Sequence, residues 1–170
     1  MKTKKNLVLL GMMGSGKSTI GSLIAIKLNM KFIDIDKIIE NEVSMKISEI
    51  FEKKGEIFFR NLEEKISIKS LEVPNSIISL GGGGFLNEKI RKEILENHLS
   101  FWLDWETEIL INRIKKSKKR PVVFNFSEDQ IKKLIKKRVK LYSKAKFKIN
   151  CNKLPKTEII KKIIKLYEKN

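Results

Sequence analysis

The chain has 170 residues, 41% of them apolar, enough for one compact domain with its own core, expected to span 1–170. No run of eighteen apolar residues occurs, which excludes a membrane-spanning helix, and one cysteine excludes an internal disulfide and fits a cytoplasmic setting. With Lys+Arg 37 against Asp+Glu 20, the net charge is +17, and a single histidine argues against structural zinc.

The first element is an apolar strand over Leu7–Leu10, followed by Gly11-Met-Met-Gly14-Ser15-Gly16-Lys17-Ser18-Thr19. This matches G-x-x-x-x-G-K-[ST], the loop whose backbone N–H groups cradle nucleotide phosphates. Glycines let consecutive N–H groups turn inward around an anion. The helix that follows, with Ile20, Leu23, Ile24 and Leu28 on one face, adds its positive N-terminal end. Lys17 is expected to reach the β- and γ-phosphates and Ser18 to ligate Mg²⁺.

A second strand over Lys31–Ile35 runs into a helix from about Asp36 to Glu42. Asp34 and Asp36 fall at the strand's carboxyl end, where parallel sheets place their ligands. Asp34 suits the metal side, and Asp36 suits a hydroxyl acceptor whose proton it would take. A helix N-cap is the alternative for Asp36. Two helical patterns follow, Ser48–Glu52 and Glu56–Leu71, the second carrying Arg60 beside Phe59.

A third strand, Ile77–Leu80, ends in Gly81-Gly82-Gly83-Gly84, a stretch that lets backbone approach a ligand closely or serves as a flexible loop. Next come a helix over Glu88–Glu96, a strand over Phe101–Leu103 and a helix over Thr107–Lys116 carrying Arg113. Ser117 to about Ser127 reads as an irregular polar stretch. With Arg120-Pro121, it could close over ATP and neutralise charge on the moving phosphoryl group.

The helix Asp129–Tyr142 buries Ile131, Leu134, Ile135, Val139 and Tyr142. Arg138 falls inside that stripe, whereas the neighbouring lysines avoid it. An arginine aimed at the core side requires a fixed anion, either a substrate carboxylate or an internal Asp or Glu. A strand over Phe147–Ile149 and a helix over Thr157–Glu168 complete the chain. Strands alternating with helices predict a parallel sheet sandwiched between two helical layers.

From Ile131 to Asn170 there are fifteen Lys or Arg, yet the whole chain has only five arginines. Its lysines lie on outer helical faces, with no interleaved aromatics of the kind that grip single strands. The pattern reads as a solvated basic surface rather than a nucleic-acid site.

Taken in order, Gly11 to Gly21, Asp34 with Asp36, Phe59-Arg60, Ser79 to Gly83, Arg120-Pro121, and Arg138 with Leu141-Tyr142 resemble the shikimate kinase family over nearly the whole chain. That resemblance implies a three-layer α/β/α P-loop kinase fold like that of nucleoside monophosphate kinases. Its five-stranded sheet would have the order 2-3-1-4-5, with a substrate segment near 34–62 and a lid near 114–127. It implies transfer of the ATP γ-phosphate to the 3-hydroxyl of shikimate, with Mg²⁺ as cofactor, by a monomer.

By the same resemblance, Asp36, Arg60, Gly82, Gly83 and Arg138 bind shikimate, while Ser18 and Asp34 serve Mg²⁺. Gly14, Ser15, Gly16, Lys17, Ser18 and Thr19 hold the ATP phosphates with Arg120, and Arg113 and Pro155 frame adenine. Lys17, Asp36 and Arg120 carry the chemistry. Val122-Val123 departs from the leucines common in the family. A kinase for gluconate or a nucleotide, and an RNA-associated nucleotide-binding protein, are the competing readings.

Overall fold

The computed structural model describes residues 5–116, 123 and 126–170. Five parallel strands form one sheet: β1 (Leu7–Leu10), β2 (Lys31–Asp34), β3 (Ser76–Ser79), β4 (Leu99–Asp104) and β5 (Phe147–Asn150). Their order is β2-β3-β1-β4-β5, the order implied above. Seven α-helices accompany them among the described residues: α1 (Lys17–Leu28), α2 (Ile35–Val43), α3 (Ile47–Leu71), α4 (Glu88–Asn97), α5 (Thr107–Lys116), α6 (Glu128–Tyr142) and α7 (Lys156–Glu168). None is long and apolar enough to cross a membrane.

The central strand explains why its sequence is a continuous apolar run. Successive side chains of a strand point to opposite faces. Leu7 and Leu9 join a cluster with Ile20 and Ile24 of α1 and Ile159, Ile160 and Ile163 of α7. Val8 and Leu10 join the opposite cluster, with Ile35, Phe59, Ile94, Leu110 and Ile135. Both faces are therefore covered, as buried parallel sheets require.

Asn6, only 3% exposed, locks the sheet to the end of α3. Its side-chain amide donates to the carbonyls of Leu71 (2.8 Å) and Val73 (2.9 Å), and its oxygen accepts from the Ser76 backbone N–H (3.0 Å). The loop before β3 is thereby tied to the start of β1, beside which β3 then pairs.

Several boundaries differ from the sequence expectation for local reasons. β2 stops at Asp34 because that side chain accepts from the Lys37 N–H (3.3 Å) and caps α2, so Asp36 sits in the first helical turn. The two helices expected around Gly55 are one element, α3, broken at that glycine, where φ is 81° and ψ 169°. β4 is longer than expected because Ser100, polar in sequence, is buried with its hydroxyl accepting from the Lys146 N–H at 2.9 Å. Arg120 and most of the lid expected at 114–127 lie outside the described residues.

Candidate active site

The loop between β1 and α1 takes the conformation its glycines permit. Gly11, Gly14 and Gly16 have φ of 144°, 81° and 88°, and α1 starts immediately afterwards with Gly16 at its N-cap. A Cβ on Gly11 would come within 3.1 Å of the Leu103 carbonyl, so the loop lies tight against β4. Lys17 is 8% exposed, and its ammonium donates to the carbonyls of Gly11 (2.7 Å) and Met12 (2.9 Å). The loop thus holds a cation against its own rim, facing the N-terminus of α1, where anions are favoured.

This loop forms one side of a cleft of about 480 Å³, within the roughly 300–1,000 Å³ range of small-molecule sites. Gly14, Gly16, Lys17, Ser18 and Thr19 line it on the loop side. Asp34, Asp36, Arg60, Gly82, Gly83 and Arg138 line the rest. Residues far apart in the chain are therefore assembled by the ends of β1, β2 and β3 together with α3 and α6.

The two arginines differ in their surroundings. Arg60, on α3, keeps 30% of its side chain exposed and pairs with Glu63 Oε2 (2.6 Å) and Glu56 Oε1 (3.4 Å). Arg138, on α6, is only 3% exposed. Its Nη1 donates to the Met12 sulfur at 3.8 Å, a weak acceptor, and its Nε has no hydrogen-bond partner among the described residues. Both guanidinium groups reach the glycine turn. A Cβ on Gly82 would sit 3.3 Å from Arg138 Nη1, and one on Gly83 would collide with the Arg60 guanidinium. Charged side chains thus crowd Gly81, Gly82 and Gly83, and the Leu80 side chain crowds Gly84, so the run of four glycines reflects close packing rather than looseness.

Tyr142, one turn beyond Arg138, donates its hydroxyl to the Gly82 carbonyl. Burial pushes that hydroxyl up to about 12, so it stays protonated as a donor.

Glu63 is a site residue that the sequence reading missed. It is 2% exposed, lines the cleft, and leaves Oε1 without a hydrogen-bond partner among the described residues. A Cβ on Gly81 would meet that oxygen at 2.5 Å and Asp36 Oδ1 at 2.8 Å, so both carboxylates crowd the same backbone position. Desolvation raises the Glu63 pKa above the usual glutamate range, against the opposing pull of Arg60 and Arg138. Its position three residues after Arg60 on an amphipathic helix was the signal available in the sequence.

Ser15, Arg113 and Pro155, also expected at the site, are not among the residues that line the cleft. Ser15 is buried within the loop, and Arg113 packs against the loop, with Nη1 donating to the Gly14 carbonyl (3.2 Å). Pro155 occupies the N-cap of α7, exposed, with its carbonyl accepting from the Glu158 N–H (3.0 Å).

Mg²⁺ takes one or two protein oxygens and completes its octahedron with phosphate oxygens and water. The Ser18 hydroxyl and the Asp34 carboxylate, hard oxygen donors on one cleft beside the phosphate loop, fit that requirement. No cluster of three or more His, Cys, Asp or Glu occurs among the described residues, so the donor set does not resemble a dedicated protein cage.

A phosphate loop facing arginines and carboxylates across one cleft, on a sheet of this order, makes the chain a small-molecule kinase of the P-loop class. The family model described as shikimate kinase matches residues 13–168. A shikimate kinase of a Sulfurihydrogenibium species is 42% identical over 149 residues, covering 88% of this chain and 89% of the relative. The shikimate kinase of Bacillus subtilis is 43% identical over 159 residues, covering 89% and 82%. The solved Acinetobacter baumannii shikimate kinase in complex with shikimate superposes with a TM-score of 0.93 at 29% identity, covering 99% of this chain and 96% of that one. The chain belongs to the shikimate kinase family, whose members are ATP-dependent kinases.

Proposed function

We propose that this enzyme transfers the γ-phosphate of ATP to the 3-hydroxyl of shikimate, giving shikimate 3-phosphate and ADP. One observation carries the assignment: a buried guanidinium, Arg138, lines the cleft with its Nε unfilled. A buried cation with an unmet donor favours an anionic guest, and its planar fork matches a carboxylate. Arg60 approaches the next residue of the same turn, so the two can hold one small acid between them.

The chemistry follows from placement. The loop from Gly14 to Thr19 holds the ATP phosphates, and Arg113 with Pro155 frames the base. Arg60, Arg138, Gly82 and Gly83 fix the acceptor, and Asp36 orients its hydroxyl and takes the proton. Orientation of this kind replaces an encounter in solution by a step within one complex. Lys17 stabilises charge on the phosphoryl oxygens as they move, and Arg120, outside the described residues, is assigned to the same task. Ser18 and Asp34 would hold Mg²⁺, which neutralises charge on the β- and γ-phosphates when bound.

The same reading has the enzyme act as a monomer in the cytoplasm. Coupled measurement of ADP release tests it with shikimate, gluconate and nucleoside monophosphates as acceptors. Shikimate should support turnover and the others should not. Turnover on another acceptor, with shikimate inert, would sink the assignment.

A further inference from the structure

Trp105 follows β4 directly, is half-buried, and packs against both hydrophobic clusters, one on each face of the sheet. The core therefore fixes where its indole lies. Its Nε1–H donates to the Ser15 carbonyl (2.9 Å), a contact across ninety residues of chain. Its ring backs the Arg113 guanidinium, 3.9 Å from the centroid, and Arg113 in turn donates to the Gly14 carbonyl. Two consecutive carbonyls of the phosphate loop are thus held from outside by one stacked pair.

Peptide geometry gives that grip a consequence. In a planar trans peptide, the carbonyl and the next N–H point in opposite directions. Holding the Ser15 carbonyl outward turns the Gly16 N–H toward the cleft that Gly16 lines. The peptides joining Gly14, Ser15 and Gly16 border positive-φ glycines, the residues freest to rotate, so an external anchor matters most there. Arg113 is exposed, and a guanidinium plane has two faces, so a flat base can stack opposite the indole.

We propose that Trp105 is a nucleotide-positioning residue: its N–H sets the Ser15–Gly16 peptide for phosphate, and its ring holds Arg113 flat for the base. The inference rests on the loop being the ATP site. It assigns the strength of nucleotide binding to a residue that need not touch the phosphates itself.

Calorimetric titration of the full chain with ADP and with inorganic tripolyphosphate, which lacks a base, separates the two parts. Trp105→Phe keeps a ring and loses the N–H, so both ligands should weaken together, by roughly 3- to 10-fold. Trp105→Leu also removes the ring, and ADP alone should lose a further factor of about 2 to 5. The KM for shikimate should stay level while that for ATP rises. Unaltered affinity for both ligands in both variants would overturn the proposal. So would equal rises in the two KM values, which would mark general loosening of the core. Failure of the proposed reaction would appear differently, as absent turnover in the unaltered protein, and these affinities do not depend on it.

Discussion

Arg60 and Arg138 lie against consecutive residues of the glycine turn after β3, Arg60 at Gly83 and Arg138 at Gly82. They lie 78 positions apart in sequence, yet α3 and α6 deliver both to one cleft. Their inequality is the informative part. Arg60 already has Glu63 as a partner, whereas the Arg138 Nε has no hydrogen-bond partner among the described residues.

Substituting the two arginines should therefore have unequal effects. Arg138→Lys keeps the charge but loses the fork, and the KM for shikimate should rise by roughly 10- to 100-fold, the worth of a charged hydrogen bond. Arg60→Lys should raise it less, because its geometry is already shared with Glu63. Steady-state kinetics on both variants checks the ranking, and the reverse order would contradict it.

Lys17→Ala removes the ammonium gathered at the loop carbonyls. Turnover should fall on the order of 10²- to 10³-fold, the usual cost of losing one pre-placed charge stabiliser. Near-normal kcat in this variant would place the charge stabilisation elsewhere.

Tyr142→Phe deletes the donor to the Gly82 carbonyl without changing the ring. Loss of this half-buried hydrogen bond should cost about 0.5–1.5 kcal/mol, which denaturant unfolding can measure. The same change releases the turn beside Arg138, so the KM for shikimate should rise while that for ATP does not. A drop in stability with unchanged acceptor affinity would show that the bond is purely structural.

Glu63 makes stability depend on pH in a defined direction. Burial outweighs its arginine neighbours, so the folded protein holds this proton more tightly than the unfolded chain does. The stability contributed by this proton is full below the ordinary glutamate pKa and is lost as pH rises through the higher value in the fold. Glu63→Gln lacks the titration. The unfolding free energy of the unaltered protein, minus that of the variant, should accordingly decrease with rising pH across that window. A difference that grows with pH would show the arginine attraction to be dominant.

The sequence made the sheet readable because its strands are short apolar runs separated by long amphipathic helices. The phosphate loop was readable because its motif is local. Arg138 was visible as the one cation inside an apolar stripe. What escaped depends on contacts distant in sequence. Glu63 looked like any acidic residue on a helix until Gly81 and Asp36 were brought beside it. Trp105 carried no local signal of its role, because its N–H meets the Ser15 carbonyl only in the folded chain. Asp34 was assigned to the metal side without its capping role, since the exact end of β2 is set by a single hydrogen bond.

The break at Gly55 has consequences for the acceptor side of the cleft. Nothing lies within 4 Å of where a side chain there would begin, so torsion, not neighbouring bulk, keeps this position glycine. Phe51 and Phe59 meet across the break with ring centroids 4.7 Å apart, and Ile47, Phe51 and Phe59 all line the pocket. A helix running straight through would carry Ile47 and Phe51 away from Phe59 and open this wall of the pocket. The width of the pocket on that side is in that sense written into one pair of backbone angles.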